Sequence, residues 1–189
     1  MISLLTNIYL VRHAHSLYTP DELGRPLSAN GILDAERVSS ILEYENIDII
    51  LSSPYKRAIQ TVEGIAGIRG KEIIIVDSFK ERTLSLEPVE DFNIAITKVW
   101  EDSSFSWPGG ESNIKAQKRG IQAIENVVNT YEGKNIVIGT HGNLMVLIMN
   151  YFDVKYGFEF WKTLDMPDVY RLTFENEHLQ ELKRIWKRT

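Results

Sequence analysis

Two short segments far apart in the chain carry side chains able to handle a phosphoryl group. Arg12-His13-Ala14-His15-Ser16 offers a guanidinium and two imidazoles, and Gly139-Thr140-His141-Gly142-Asn143 offers a third imidazole. Arg57 adds a second guanidinium shortly after Leu51-Ser52-Ser53-Pro54. A neutral imidazole can attack phosphorus as a nucleophile. Another, charged or donating a hydrogen bond, can hold the phosphoryl oxygens. Guanidinium forks match those oxygens and stay charged at any working pH. The departing oxygen also needs a proton, and Glu81 in Phe79-Lys80-Glu81-Arg82 is the best-placed carboxyl. Glu87, Glu90 and Asp91 are close enough in sequence to compete for that part.

Such side chains must be brought together by the elements around them. Four apolar, β-branched runs, Ile8–Val11, Ile47–Leu51, Ile73–Val76 and Ile136–Ile138, show no polar alternation. Each predicts a strand buried on both faces, the habit of parallel sheets. Helical spacing separates them: Ile32, Ala35, Val38 and Leu42 after Asn30-Gly31, then Tyr55, Ala58, Ile59, Val62, Ile65 and Ala66 behind Pro54. A longer helix after Gly109-Gly110 places Ile114, Ile121, Ile124, Val128 and Tyr131 on one face, and Leu144–Met149 reads as a helix buried all round. Val169–Phe174 and Leu179–Trp186, joined by Glu175-Asn176-Glu177-His178, predict an antiparallel hairpin. The expected fold is a three-layer α/β/α arrangement with a mostly parallel central sheet and an antiparallel edge hairpin. It forms one domain over residues 1–189, with a helical lid insertion around 80–110 centred on Val89–Trp100. Both histidine segments directly follow buried strands, so they belong at strand carboxyl ends, where open α/β sheets bind ligands. There Arg12 and Arg57 could converge with the amides at the helix start near Gly142 to make an anion pocket.

Composition removes competing classes. The 189 residues contain no cysteine, which excludes disulfides, thiolate metal sites and cysteine nucleophiles together. A net charge of −5 argues against nucleic acid and anionic membrane surfaces as partners. The N-terminal apolar stretch ends at Arg12, too early for a signal or spanning segment, so a soluble, cytoplasmic protein is expected.

As a set, these segments resemble the histidine phosphatase superfamily, the phosphoglycerate mutase-like family. Arg12-His13-Ala14-His15 is similar to its Arg-His-Gly signature, and Leu27-Ser28 with Gly31 to its Leu-Thr/Ser-x-x-Gly element. Ser52-Ser53-Pro54 through Arg57-Ala58 and Thr61 resembles its Ser-Ser-Pro-x-x-Arg-Ala-x-x-Thr element, Glu81 stands where the family places its acid, and His141-Gly142 matches the second histidine. Pro108-Gly109-Gly110-Glu111-Ser112 resembles a loop of the phosphatase branch. The resemblance implies a phosphomonoesterase that needs neither metal nor cofactor and works through phosphohistidine. His13 would be the nucleophile, Glu81 the general acid and then base, and Arg12, Arg57 and His141 the holders of the phosphoryl group. Ser16, Thr19 and Gly142 join Arg12 and Arg57 as substrate-binding candidates; His15, standing in place of the usual acidic or amide residue, either touches substrate or caps a loop. Ala14 replaces a glycine, and Thr19 stands where the mutases carry an asparagine. The chain lacks the long insertions of cofactor-dependent mutases, which favours phosphatase over mutase. The implied partner is a small phosphorylated metabolite, and a homodimer is compatible with the sequence. Two alternatives stay open: a protein phosphohistidine phosphatase, whose branch Arg25-Pro26-Leu27-Ser28 resembles, and a weakly catalytic regulator that binds phosphorylated ligands.

Overall fold

A computed structural model describes residues 4–188. The β-branched runs form strands β1 (Leu5–Arg12), β2 (Ile49–Ser52), β3 (Ile73–Ile75) and β4 (Asn135–Thr140), which pair in parallel. β5 (Asp168–Glu175) and β6 (His178–Arg184) add an antiparallel hairpin, giving one six-stranded sheet in the order β3-β2-β4-β1-β5-β6.

Strand residues of both parities must be apolar because helices cover both faces of the sheet. Ile8 and Leu10 of β1 point into a core shared with α4 (Asn113–Thr130) and α5 (Gly142–Phe152). Tyr9 and Val11 point the other way, to a core shared with α1 (Ala29–Leu42) and α2 (Lys56–Arg69). The expected three-layer arrangement is therefore present. Helix starts follow local chemistry: Ser28 Oγ accepts from Gly31 N at the head of α1, and Ser112 Oγ accepts from Lys115 N at the head of α4. Helix α5 has every residue from Gly142 to Met149 buried, as its all-round apolar sequence requires.

The structure corrects four expectations. β3 is an edge strand, not one buried on both faces: Ile74 and Ile75 are 45% and 48% exposed because only β2 flanks it. Ile114 is 51% exposed, because in the first turn of α4 it is Asn113 and Ala116 that carry the buried face. The hairpin closes one edge of the sheet as expected, with β5 against β1 and β6 outermost, but His178 opens β6 rather than lying in the turn. Within 80–110 the helix α3 spans Phe92–Glu101, starting later than Val89 because Asp91 supplies its cap, accepting from Ile94 N. A short α6 (Phe158–Thr163) precedes β5. Among the described residues no helix is long and apolar enough to cross a membrane.

What matters for the site is the pairing of β1 with β4. Arg12 lies opposite Thr140 in register, so the next residues, His13 and His141, leave the sheet side by side. From there β1 feeds α1 on one face while β4 feeds α5 on the other, which opens a crevice between them.

Candidate active site

The loop after β1 is held at every step. His13 N donates to Thr140 O at 3.0 Å, and Ala14 N donates to Thr61 Oγ1 at 3.0 Å. Thr61 Oγ1 in turn donates to Arg57 O at 2.7 Å, so the threonine of the helix α2 element ties the loop to the turn that carries Arg57. A Cβ on Gly31 would lie 2.0 Å from His15 O, which explains the glycine there.

His13 Nδ1 lies 2.8 Å from Ala14 O, a carbonyl that can only accept, so the proton sits on Nδ1 and Nε2 keeps its lone pair. Arg57 Nε donates to that Nε2 at 3.2 Å. Burial, then the charges of Arg57 and Arg12, push the His13 pKa down to about 3, leaving a neutral imidazole at physiological pH. His141 is fully buried, and burial also holds its pKa well below the ordinary value. Its ring centroid is 5.2 Å from that of His13 and 4.9 Å from that of Tyr55. His141 Nε2 is 2.8 Å from Ser53 Oγ, while Nδ1 has no partner.

The two guanidiniums are aimed by backbone carbonyls. Arg12 Nη1 donates to Leu164 O at 2.9 Å and Asp165 O at 3.1 Å, leaving Nε without a partner. Gly142 must be glycine, because a Cβ there would come within 2.9 Å of Arg12 Nε. Arg57 Nη1 donates to Glu22 O at 2.9 Å and pairs with Glu22 Oε2 at 3.2 Å. The acceptors of Arg12 are themselves fixed from the hairpin. The carboxylate of Asp168, which is buried, accepts from Asp165 N and Val169 N, each at 3.0 Å, and from Arg184 Nε and Nη2, each at 2.9 Å.

Glu81 caps helix α5. Its Oε1 accepts from Arg82 N and Leu144 N at 2.9 and 3.0 Å, and its Oε2 accepts from Asn143 N at 3.0 Å. Three donors against about four lone-pair directions leave one on Oε2 for a proton. The segment before it is pinned by Arg119, whose Nη1 donates to Ser78 O and Lys80 O at 2.6 and 3.1 Å.

These groups border a cleft of about 430 Å³ that Arg12, His13, Arg57, Glu81 and Gly142 line directly, with His141 buried beside His13. Unpartnered N–H groups and imidazole nitrogens around a nucleophilic lone pair can receive the oxygens of a phosphoryl group. The structure does not bring His15, Ser16 or Thr19 to the cleft. After Ala14 the chain turns back against Leu27 through a bridge at Ser16; His15 Nδ1 rests 2.8 Å from Ser28 Oγ, and Thr19 Oγ1 donates to Asp21 O at 3.0 Å. His15 is thus occupied with the loop, the second of its two readings. Conversely, Glu22, Arg25, Tyr55, Arg82, Asn143 and Trp161 line the cleft without having been singled out. Tyr55 and Asn143 each adjoin a motif residue, and Arg82 follows Glu81, but adjacency alone did not say which neighbours face inward. Among the described residues no group of three or more His, Cys, Asp or Glu is gathered for a metal ion.

Comparison with known proteins agrees with this geometry. The description "Histidine phosphatase superfamily (branch 1)" matches residues 8–186. A phosphoserine phosphatase 1 of Hydrogenobacter thermophilus is 29% identical over 155 residues, covering 72% of this chain and 71% of that protein. An uncharacterized phosphatase PhoE of Bacillus subtilis is 28% identical over 146 residues, covering 73% and 72%. Among solved structures, a mycobacterial glucosyl-3-phosphoglycerate phosphatase superposes with a TM-score of 0.76 at 18% identity, over 95% of this chain and 97% of the other. The Entamoeba histolytica phosphoserine phosphatase, solved with 3-phosphoglyceric acid, gives 0.76 at 23% identity over 94% and 96%. With a family match across nearly its whole length, this chain belongs to the histidine phosphatase superfamily, branch 1.

Proposed function

We propose that the chain hydrolyses a small phosphomonoester in two steps at His13. In the first, His13 Nε2 attacks phosphorus, the P–N bond forms, the P–O bond breaks, and Glu81 gives its proton to the departing oxygen. In the second, Glu81 takes a proton from water, the water oxygen attacks phosphorus, and the P–N bond breaks to return inorganic phosphate and the lone pair on His13. Arg12, Arg57 and His141 hold the phosphoryl oxygens through both steps. A phosphoric monoester hydrolase is what the family membership and the similar phosphatases indicate; the residue roles rest on the geometry. The observation that carries the reading is the tautomer of His13, locked by Ala14 O, with its lone pair facing Arg57. The cleft volume suits a small phosphorylated metabolite.

The test is hydrolysis of p-nitrophenyl phosphate in excess chelator, with acid-labile phosphate on the protein measured alongside. Activity should persist with chelator, and His13→Ala should lower kcat by at least about 10⁴-fold and abolish the phosphoprotein. Loss of activity on chelation, or its survival in His13→Ala, overturns the reading.

A further inference from the structure

Behind the active-site cleft lies a second cavity, of about 300 Å³, bordered by the end of α3, the first turns of α4, one face of α5 and the head of α6. No residue that lines it also lines the cleft, and among the described residues its walls hold no charged side chain. Asn143, Leu147 and Asn150 follow one face of α5 at steps of four and three residues. Asn143 borders the cleft, and the two later residues border the cavity. Trp100 stands between the two spaces: it lines the cavity while its Nε1 donates to Asn143 Oδ1 at 3.3 Å.

The polar groups of the cavity are not all satisfied within the fold. Gln117 is fixed, its Nε2 donating to Leu147 O at 2.9 Å and to Asn150 Oδ1 at 3.2 Å. Asn113 is different. It lines the cavity, is only 3% exposed, and its Oδ1 has no hydrogen-bond partner. A buried amide oxygen left unpaired is costly, and an incoming N–H donor satisfies it. Aromatic rings supply another part of the wall, where Trp100 and Phe158 stack with centroids 5.8 Å apart and planes 19° apart. A carboxamide beside aromatic rings suits a planar base, since the amide reads its hydrogen-bonding edge and a ring covers its face. The absence of charge selects against a phosphorylated ligand, which needs cations to replace its hydration. In this the cavity is the opposite of the cleft, where four arginines stand.

We propose that this cavity is a second ligand site, for a neutral nucleoside or free base whose exocyclic amine donates to Asn113 Oδ1. The site is independent of the phosphatase reading, because its occupation is measured without turnover.

The experiment is calorimetric titration of the whole protein with adenosine and inosine, and with cytidine and uridine. Within each pair an amine is exchanged for a carbonyl. Adenosine or cytidine should bind at one site with Kd below about 1 mM, at least about tenfold more tightly than its carbonyl counterpart. Saturating inorganic phosphate should leave that binding unchanged. Asn113→Ala should weaken it by at least about tenfold while phosphate binding at the cleft is preserved. Should Asn113→Ala fail to fold, Phe158→Leu removes the aromatic wall and should weaken the same nucleoside by at least about fivefold. No binding of either amino nucleoside up to about 10 mM overturns the proposal. Equal binding within both pairs, displacement by phosphate, or full affinity in the variants overturns it as well.

Discussion

The two halves of the sheet contribute in different ways. The parallel half, β3-β2-β4-β1 with α1, α2 and α5, carries His13, Arg57 and His141. The antiparallel half, β5 and β6, carries none of them, yet it fixes the aim of Arg12. The carbonyls that Arg12 binds lie just before β5, and Asp168 and Arg184 hold that stretch in place. One half supplies reactive groups and the other supplies direction. A motif search sees only the first.

The contrast can be strained from both sides. On the parallel side, Arg57→Ala removes the donor facing the His13 lone pair, and kcat/KM on p-nitrophenyl phosphate should fall by about 10²–10³-fold. A loss below tenfold would mean that Arg57 holds the loop and not the phosphoryl group. The parallel half should also carry the protein's sensitivity to acid. His13 titrates at about 3 when folded and near 6.5 unfolded, and His141 is likewise depressed by burial. Between those values the unfolded chain binds protons that the folded chain refuses. Stability is therefore complete above about pH 6.5 and declines as pH falls, by up to about 1.4 kcal/mol per unit for each histidine. Urea unfolding at pH 7.0, 5.5 and 4.5 should show this slope, and His13→Gln should flatten it; an unchanged slope would place the protons elsewhere.

On the antiparallel side the effects are smaller. Asp168→Asn should cost about 1–3 kcal/mol of stability and about tenfold in kcat/KM, with weaker binding of inorganic phosphate, because Arg12 loses its fixed acceptors. Glu181→Gln removes the exposed bridge to Arg171 on the same hairpin and should leave both stability and activity unchanged. If the two variants behave alike, the hairpin is scaffold only.

The sequence announced the strands, the layers and the residues that stand immediately after β1 and β4, because burial on both faces and a strand's end leave marks in local residue types. It preferred Glu81 to Glu87, Glu90 and Asp91 by position but left them in competition; of those acids only Glu81 caps α5, and Glu87 also lines the cleft. Local patterns fail where geometry depends on a partner far along the chain. β3 reads like β2 in sequence, and only the strand order shows it to be an edge. Ser16 and Thr19 follow the signature closely but are drawn away by Leu27 and Asp21, a turn that carries no periodicity. Arg82 was invisible because nothing in its neighbours tells whether a side chain next to an acid faces solvent or cleft.

The anchoring of Arg12 has a consequence for how activity appears during synthesis. Its carbonyl acceptors lie 152 and 153 residues downstream, and its strand is flanked by β5, which is made after every other strand of the sheet except β6. Until then β1 lacks a neighbour on one side and its edge is a site for mispairing with other chains. A nascent chain can hold both histidines and Arg57 and still lack the aimed guanidinium that completes the pocket. The aim of Arg12 is therefore set only once β5 has joined β1.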